Sequence, residues 1–323
     1  MEKKYFISAL APKIKTFIEF KNSLGVEYKT GSRYLLQLDE YNYNNGNSST
    51  LDREIVEAWI IKHELKCQSQ SRSWVSYIRE FGKYLQRTGD TNAYILSDNF
   101  KINKYRAETY LMNENEVKSF FKKCDEKARK NRKTVHKYVL PAIYRFMYCC
   151  GVRTCEARKL KCNEVHLEEK YIDIVLSKTH KDRRLFLSDE LSNYLLEYNR
   201  HMAESFPNRE YFFPNSIGNI CHPSIISKNF KKIWVDAGLN YSGKIKPRAY
   251  DFRHYFACSN LIRWSKEGHD INSMLPYLMT YMGHASIEST YYYIHLLPDF
   301  FPQYKFLTSK SETLIPEIEN EIQ

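Results

Sequence analysis

The stretch Gly283-His284-Ala285-Ser286-Ile287-Glu288-Ser289-Thr290-Tyr291-Tyr292-Tyr293-Ile294-His295 sets three consecutive tyrosines a few residues after a Gly-His pair. Ile287, Tyr291 and Ile294 recur at i, i+4 and i+7, which predicts a short helix that buries those three and leaves Tyr293 off the apolar stripe. A tyrosine turned away from the core offers its hydroxyl for use. Tyr291 and Tyr292 also fit the plainer reading that a chain with 26 tyrosines places them anywhere.

The composition narrows the setting. A length of 323 residues is enough for two domains, each with its own core. Lys and Arg number 49 against 38 Asp and Glu, a net charge of +11 that favours a polyanionic partner such as nucleic acid. The eight cysteines contain no Cys-x-x-Cys, and Cys221-His222 has no second pair at ligand spacing, so no metal is expected and reduced, mostly buried thiols are. The N-terminus lacks the apolar run of a signal peptide and no stretch reaches membrane-spanning length, so a cytoplasmic protein with no membrane partner is expected.

Helical spacing organises the first third. Ile14, Phe17 and Leu24 lead to Leu24-Gly25, a natural helix end. Tyr34, Leu35 and Leu38 mark a second helix starting near Ser32 and broken by the polar run from Asn42 to Ser49; Ile55, Val56, Trp59 and Ile60 mark a third. Trp74, Ile78, Phe81 and Leu85 mark a fourth, ending before Gly89. Four short helices read as a small bundle. Its polar positions Lys29, Arg33, Arg72 and Lys83, beside Ser69, Ser71 and Ser73, suit phosphate contacts or simply a solvated face. Ser97 to Tyr110 is polar and basic without clear periodicity, as an extended linker would be.

Asn113 and Glu116 form a capping-box pattern that opens the next helix, which ends in the basic cluster Lys127, Arg129, Lys130, Arg132 and Lys133. The apolar run His136 to Cys150 is a buried helix stopped by Gly151, and Val152-Arg153 follows with Glu156 one helical turn on. Arg153 is thus placed to be held by neighbours with its guanidinium toward a site, unless it is an ordinary surface arginine. Tyr171 to Leu176 and Arg183 to Leu187 pair as a hairpin with Lys178 on the turn, where an amine either reaches into a groove or only solubilises. Helices are expected at Ser188 to Met202 and Ser224 to Ala237. In Tyr250-Asp251-Phe252-Arg253, Asp251 favours a helix start and puts Arg253 in the first turn of a helix with Phe252 and Phe256 inward. A last helix is expected at about Ile271 to Tyr281, and Ile315, Ile318 and Ile322 give the tail helical spacing, suited to docking on another subunit or fraying.

Gly151-Val152-Arg153 with Glu156, Lys178 on a hairpin, Arg253, Gly283-His284 and Tyr293 stand in the order and approximate spacing of the catalytic domain of the tyrosine recombinase, or phage integrase, family, which the chain resembles over about residues 113 to 297. The resemblance implies a mainly α fold with a small β-hairpin. It assigns 1–97 to a helical, SAM-like core-binding domain, 98–112 to a linker, 113–297 to the catalytic domain and 298–323 to a tail exchanged between protomers. Because the chain starts almost directly with the bundle, a simple site without arm sites is expected.

By the same resemblance, Arg153 and Arg253 clamp the non-bridging phosphate oxygens, Tyr293 is the nucleophile, Lys178 protonates the leaving 5′ oxygen, His284 donates to the phosphate and Glu156 orients the site. Two fixed guanidinium forks suit a phosphorane-like charge, and a phosphotyrosine ester conserves the bond energy without metal, ATP or other cofactor. One position departs from the pattern. Tyr250 stands where the family has histidine, and a phenol with a reference pKa of about 10 donates a hydrogen bond but accepts a proton poorly at neutral pH. The implied partner is double-stranded DNA with inverted half-sites, bound by a homotetramer on two paired sites that is a monomer or weak oligomer when free. The alternatives are a nicking-closing enzyme of the type IB topoisomerase kind and a DNA-binding accessory protein with an impaired site.

Overall fold

The computed structural model describes residues 5–25, 27–64, 71–98, 100, 109–130, 135–175, 182–240 and 245–300. The chain divides into two compact units between residues 107 and 108. The first holds α1 (Ala11–Ser23), α2 (Lys29–Asn44), α3 (Arg53–Glu64) and α4 (Ser71–Arg87). In α4, Trp74, Ile78, Phe81 and Leu85 are all buried, as their spacing requires, and Phe17 and Trp59 meet Phe81 and Trp74 at ring distances of 5.2 and 5.8 Å. Two details differ from the expected pattern. Leu24 is 60% exposed because α1 has already ended and Leu24 serves only as its cap. Asn42 is buried inside α2, where its amide donates to the Ser48 carbonyl at 2.8 Å, so the polar run begins within the helix. Buried Asp39 accepts from the Ile7 and Ser8 amides and ties the chain ahead of α1 onto α2.

The second unit contains α5 (Glu114–Lys130), α6 (His136–Cys150), α7 (Thr154–Lys159), α8 (Asp189–Ser205), α9 (Pro223–Asp236), α10 (Asp251–Lys266), α11 (Ile271–Met282) and α12 (Glu288–Phe300). Asn113 and Glu116 exchange the two bonds of the expected capping box, at 2.8 and 2.9 Å. Within the stretch read as a linker, Thr109 and Met112 are buried in this unit. A three-stranded antiparallel sheet runs in the order β1 (Val165–His166), β2 (Tyr171–Ile174), β3 (Arg183–Phe186), with Ile172 opposite Leu185 and Ile174 opposite Arg183. The fold is therefore mainly α with a small sheet, and β1 is a strand beyond the expected hairpin. Among the described residues no helix is long and apolar enough to cross a membrane.

Two apolar clusters build this unit. One gathers Phe120, Tyr144, Phe146, Phe230, Trp234 and Phe252; the other gathers Ala257, Leu261, Leu275, Leu278, Met282, Tyr293 and Ile294. Helix α10 contributes to both, so Arg253, one residue after Phe252 and only 1% exposed, is held between two cores rather than on a surface.

Candidate active site

Gly151 sets the geometry. It ends α6 with φ of 58°, in the left-handed region, and an added Cβ would lie 2.4 Å from the Phe256 ring, so both the turn and the close approach require glycine. The chain then reverses into Arg153, whose backbone is extended at the start of α7. Glu156 accepts from the Arg153 backbone N–H at 2.9 Å and from its Nη1 at 2.7 Å. Arg153 Nη2 donates to the Gly283 carbonyl at 2.7 Å.

Arg253 reaches the same backbone. Its Nη2 donates to the Met282 carbonyl and its Nη1 to the Gly151 carbonyl, each at 2.7 Å. Two guanidiniums thus hang on consecutive carbonyls immediately before His284. The Nε–H of Arg253 is buried and has no partner among the described residues. An unsatisfied charged donor is costly to bury, and an incoming anion would satisfy it.

Glu156 carries a second arginine that the sequence reading did not single out. Arg183 Nη1 and Nη2 donate to its two oxygens at 3.2 and 2.8 Å, while Arg183 Nε donates to the Tyr281 carbonyl at 2.8 Å. An added Cβ on Gly283 would lie 2.8 Å from Arg183 Nη1. Burial pushes the Glu156 pKa up, but the bonds and charge of Arg183 and the bonds from Arg153 outweigh it, and the carboxyl sits below its ordinary value. The signal for Arg183 lay in strand period two: it shares a face with Leu185 and Leu187, both buried.

His284 is buried, and its Nδ1 is 2.8 Å from the hydroxyl of fully buried Thr290. Burial, with the charges of Arg253, Arg153 and Arg183, lowers its pKa to about 3, so the ring is neutral at pH 7. It stacks on Tyr293, with centroids 6.1 Å apart and planes 13° apart.

Tyr293 itself corrects the expected stripe. It is 3% exposed, whereas Tyr291 and Ile287 are only partly buried. The reason is that α12 packs against both α10 and α11, so the covered arc is wider than a single stripe and takes in Tyr293 beside Ile294. Burial raises the hydroxyl pKa well above its ordinary value, with the Arg253 charge opposing. The neighbouring Tyr292 hydroxyl is engaged elsewhere, 2.5 Å from Thr109 Oγ1.

Tyr250 caps α10 at the edge of this group, 38% exposed, with its ring edge-on to His254 at 5.2 Å. The structure thus brings together Arg153, Glu156, Arg253, His284 and Tyr293, with Tyr250 at the rim. Lys178 lies outside the described residues. Lys29, Arg33 and Lys83 are exposed in the first unit, with Lys29 paired to Glu27 and Arg33 over the Tyr34 ring; the Arg72 side chain is outside the described residues. No group of three or more histidine, cysteine or acidic side chains among the described residues could hold a metal ion.

Comparison with known proteins adds independent findings. Residues 111–299 match the family model described as the phage integrase family. A putative integrase/recombinase of Sinorhizobium fredii is 23% identical over 91% of this chain and 95% of its own length. A tyrosine recombinase XerC of Lactobacillus leichmannii is 30% identical over 48% of this chain and 50% of its own. Among solved structures, the XerH site-specific recombinase bound to palindromic difH superposes with a TM-score of 0.64 at 19% identity, covering 88% of this chain and 79% of that one. A lambda integrase tetramer bound to a Holliday junction superposes with a TM-score of 0.61 at 14% identity, covering 87% and 78%.

Proposed function

The chain belongs to the phage integrase family of tyrosine recombinases, and we propose that it exchanges DNA strands through a 3′-phosphotyrosine bond to Tyr293. The observation that carries this reading is the pair of guanidiniums, Arg153 and Arg253, fixed on the consecutive carbonyls of Gly283 and Met282 beside a histidine stacked on Tyr293. A phosphate seated there would meet two positive charges whose positions are set before it arrives. Preorganised charge of this kind stabilises the five-coordinate transition state without reorganisation, usually the largest single term in such catalysis.

In this reading the Tyr293 oxygen attacks phosphorus, the bond to the 5′ oxygen breaks, and the Lys178 ammonium supplies the proton the leaving oxygen takes. His284, neutral at pH 7, donates its one ring N–H. Glu156 holds Arg153 and does not react. Tyr250 donates to the phosphate from the rim. The substrate is duplex DNA with inverted half-sites, acted on by four protomers, for integration or excision of a mobile element or for replicon resolution. The relatives' names, integrase and recombinase, favour strand exchange over simple nicking and closing.

The test is covalent trapping on a suicide substrate whose nicked strand cannot be rejoined. The natural protein forms an adduct that survives denaturing electrophoresis, and Tyr293→Phe binds the same DNA but forms none. An adduct in Tyr293→Phe, or one lost only in Tyr292→Phe, would assign the nucleophile to another tyrosine.

A further inference from the structure

Strand cleavage by Tyr293, on which this inference rests, requires a group that takes the hydroxyl proton. The hydroxyl is buried with a raised pKa, so it enters the reaction protonated. Arg153 and Arg253 are cations that accept nothing, His284 has Nδ1 against Thr290, and Tyr250 is a phenol.

A second histidine, His254, lies beside the Tyr293 ring. It is 8% exposed and its ring lies among three tyrosines, with centroids 5.2 Å from Tyr250, 6.2 Å from Tyr292 and 5.7 Å from Tyr293. Its Nε2 faces the fully buried carboxyl of Asp251 at 3.9 Å, and Asp251 is itself held by the Arg248 backbone N–H at 2.7 Å and by Arg248 Nη2 at 2.9 Å. Its Nδ1 is buried and has no hydrogen-bond partner among the described residues. A buried ring nitrogen without a partner costs stability, and its persistence one residue after Arg253 calls for a use.

We propose that His254 is the proton acceptor for Tyr293, taking the hydroxyl proton on Nδ1 while Asp251 stabilises the imidazolium through Nε2. The proton balance closes. As the Tyr293 oxygen bonds to phosphorus and the 5′ oxygen leaves, one proton passes from Tyr293 to His254 and one from Lys178 to the leaving oxygen. Rejoining by an incoming 5′ hydroxyl returns both. The two ring centroids are 5.7 Å apart with planes tilted by 52°, and the bond forms when substrate is bound, a tightening that substrate commonly brings. Burial, then the charges of Arg248 and Arg253, lowers the His254 pKa to about 4, so Nδ1 is available at neutral pH; the rings of Tyr250, Tyr292 and Tyr293 face it as well. The departure at Tyr250 is then compensated one helical turn away, on the same helix.

Single-turnover cleavage of a suicide substrate by the full chain, from pH 5.5 to 9, tests this. Expected for His254→Gln is unchanged DNA binding, a rate at pH 7 lowered about 100-fold, within the range of general-base contributions, and a rise with pH as hydroxide replaces the lost base. His254→Ala should regain cleavage when imidazole is added, and His284→Gln should not. Cleavage by His254→Gln within threefold of the natural rate would overturn the proposal, as would a loss that neither pH nor imidazole restores. Loss of DNA binding in both His254 variants would mean the ring is only structural, and would overturn it equally. If the natural protein forms no adduct, or Tyr293→Phe still forms one, it is the strand-cleavage reading that fails instead.

Discussion

At the scale of single residues, two of the three arginines at the site depend on one carboxylate. Glu156 joins Arg153 to Arg183, and Arg183 in turn holds the Tyr281 carbonyl two residues before Gly283. Arg183→Lys keeps the charge but cannot offer a planar fork to both carboxylate oxygens, so cleavage should fall at least tenfold while DNA affinity changes little. Binding and single-turnover rate measured on one preparation separate the two. Glu156→Gln breaks a buried pair with two arginines and should lower stability by about 3–5 kcal/mol at pH 7. The sign follows from the lowered pKa: the contribution is present above the unfolded value near 4.5 and is lost as pH falls through the folded value, so the gap between natural and variant Tm should close in acid. At the rim, Tyr250→Phe should cost about 1–3 kcal/mol of transition-state stabilisation, the penalty for one lost bond to a charged group, and Arg253→Ala more. Natural-rate cleavage by Tyr250→Phe would remove Tyr250 from the chemistry.

At the scale of elements, turns rather than helices fix the site. The Gly151 turn delivers Arg153, and the Gly283 turn presents carbonyls to both arginines and starts the run to His284. Gly151→Ala meets a positive φ and a ring at 2.4 Å together, so a loss of roughly 1–3 kcal/mol in stability, with weaker cleavage, is expected from thermal unfolding and trapping assays. The sequence made Gly151 legible because it closes an apolar helical run, whereas Gly283 stood out only as the residue before His284. It also gave the four helices of the first unit, since apolar spacing alone specifies which face is covered. Other features depend on which elements meet, and local periodicity does not carry that. Tyr293 is buried because α12 is covered from two sides, and Arg183 finds Glu156 across 27 residues of chain. His254 was overlooked for the same reason: next to Arg253 in sequence it reads as one more polar residue of α10, and only packing surrounds it with three tyrosines.

At the scale of the whole molecule, charge and assembly make separable claims. With a net charge of +11, DNA affinity should fall linearly with salt on logarithmic axes, and each side chain that neutralises a phosphate contributes about 0.9 to that slope. Lys29→Ala, Arg33→Ala, Arg72→Ala and Lys83→Ala should each flatten it by about that amount if they touch the backbone, and leave it unchanged if they only face solvent. A part in assembly is expected of the tail past residue 300, which lies outside the described residues. Ile315, Ile318 and Ile322 keep helical spacing beyond the stretch that carries Tyr293, which motivates a docking segment for a neighbouring protomer. Deleting residues 315–323 should leave single-protomer cleavage of a suicide substrate intact, because that chemistry uses none of them, while weakening higher-order complexes on paired sites. Native gels at matched protein and DNA concentrations read both species at once. Equal tetramer bands from natural and truncated protein would show that the tail takes no part in pairing, and the contacts between protomers would then have to come from the folded units alone.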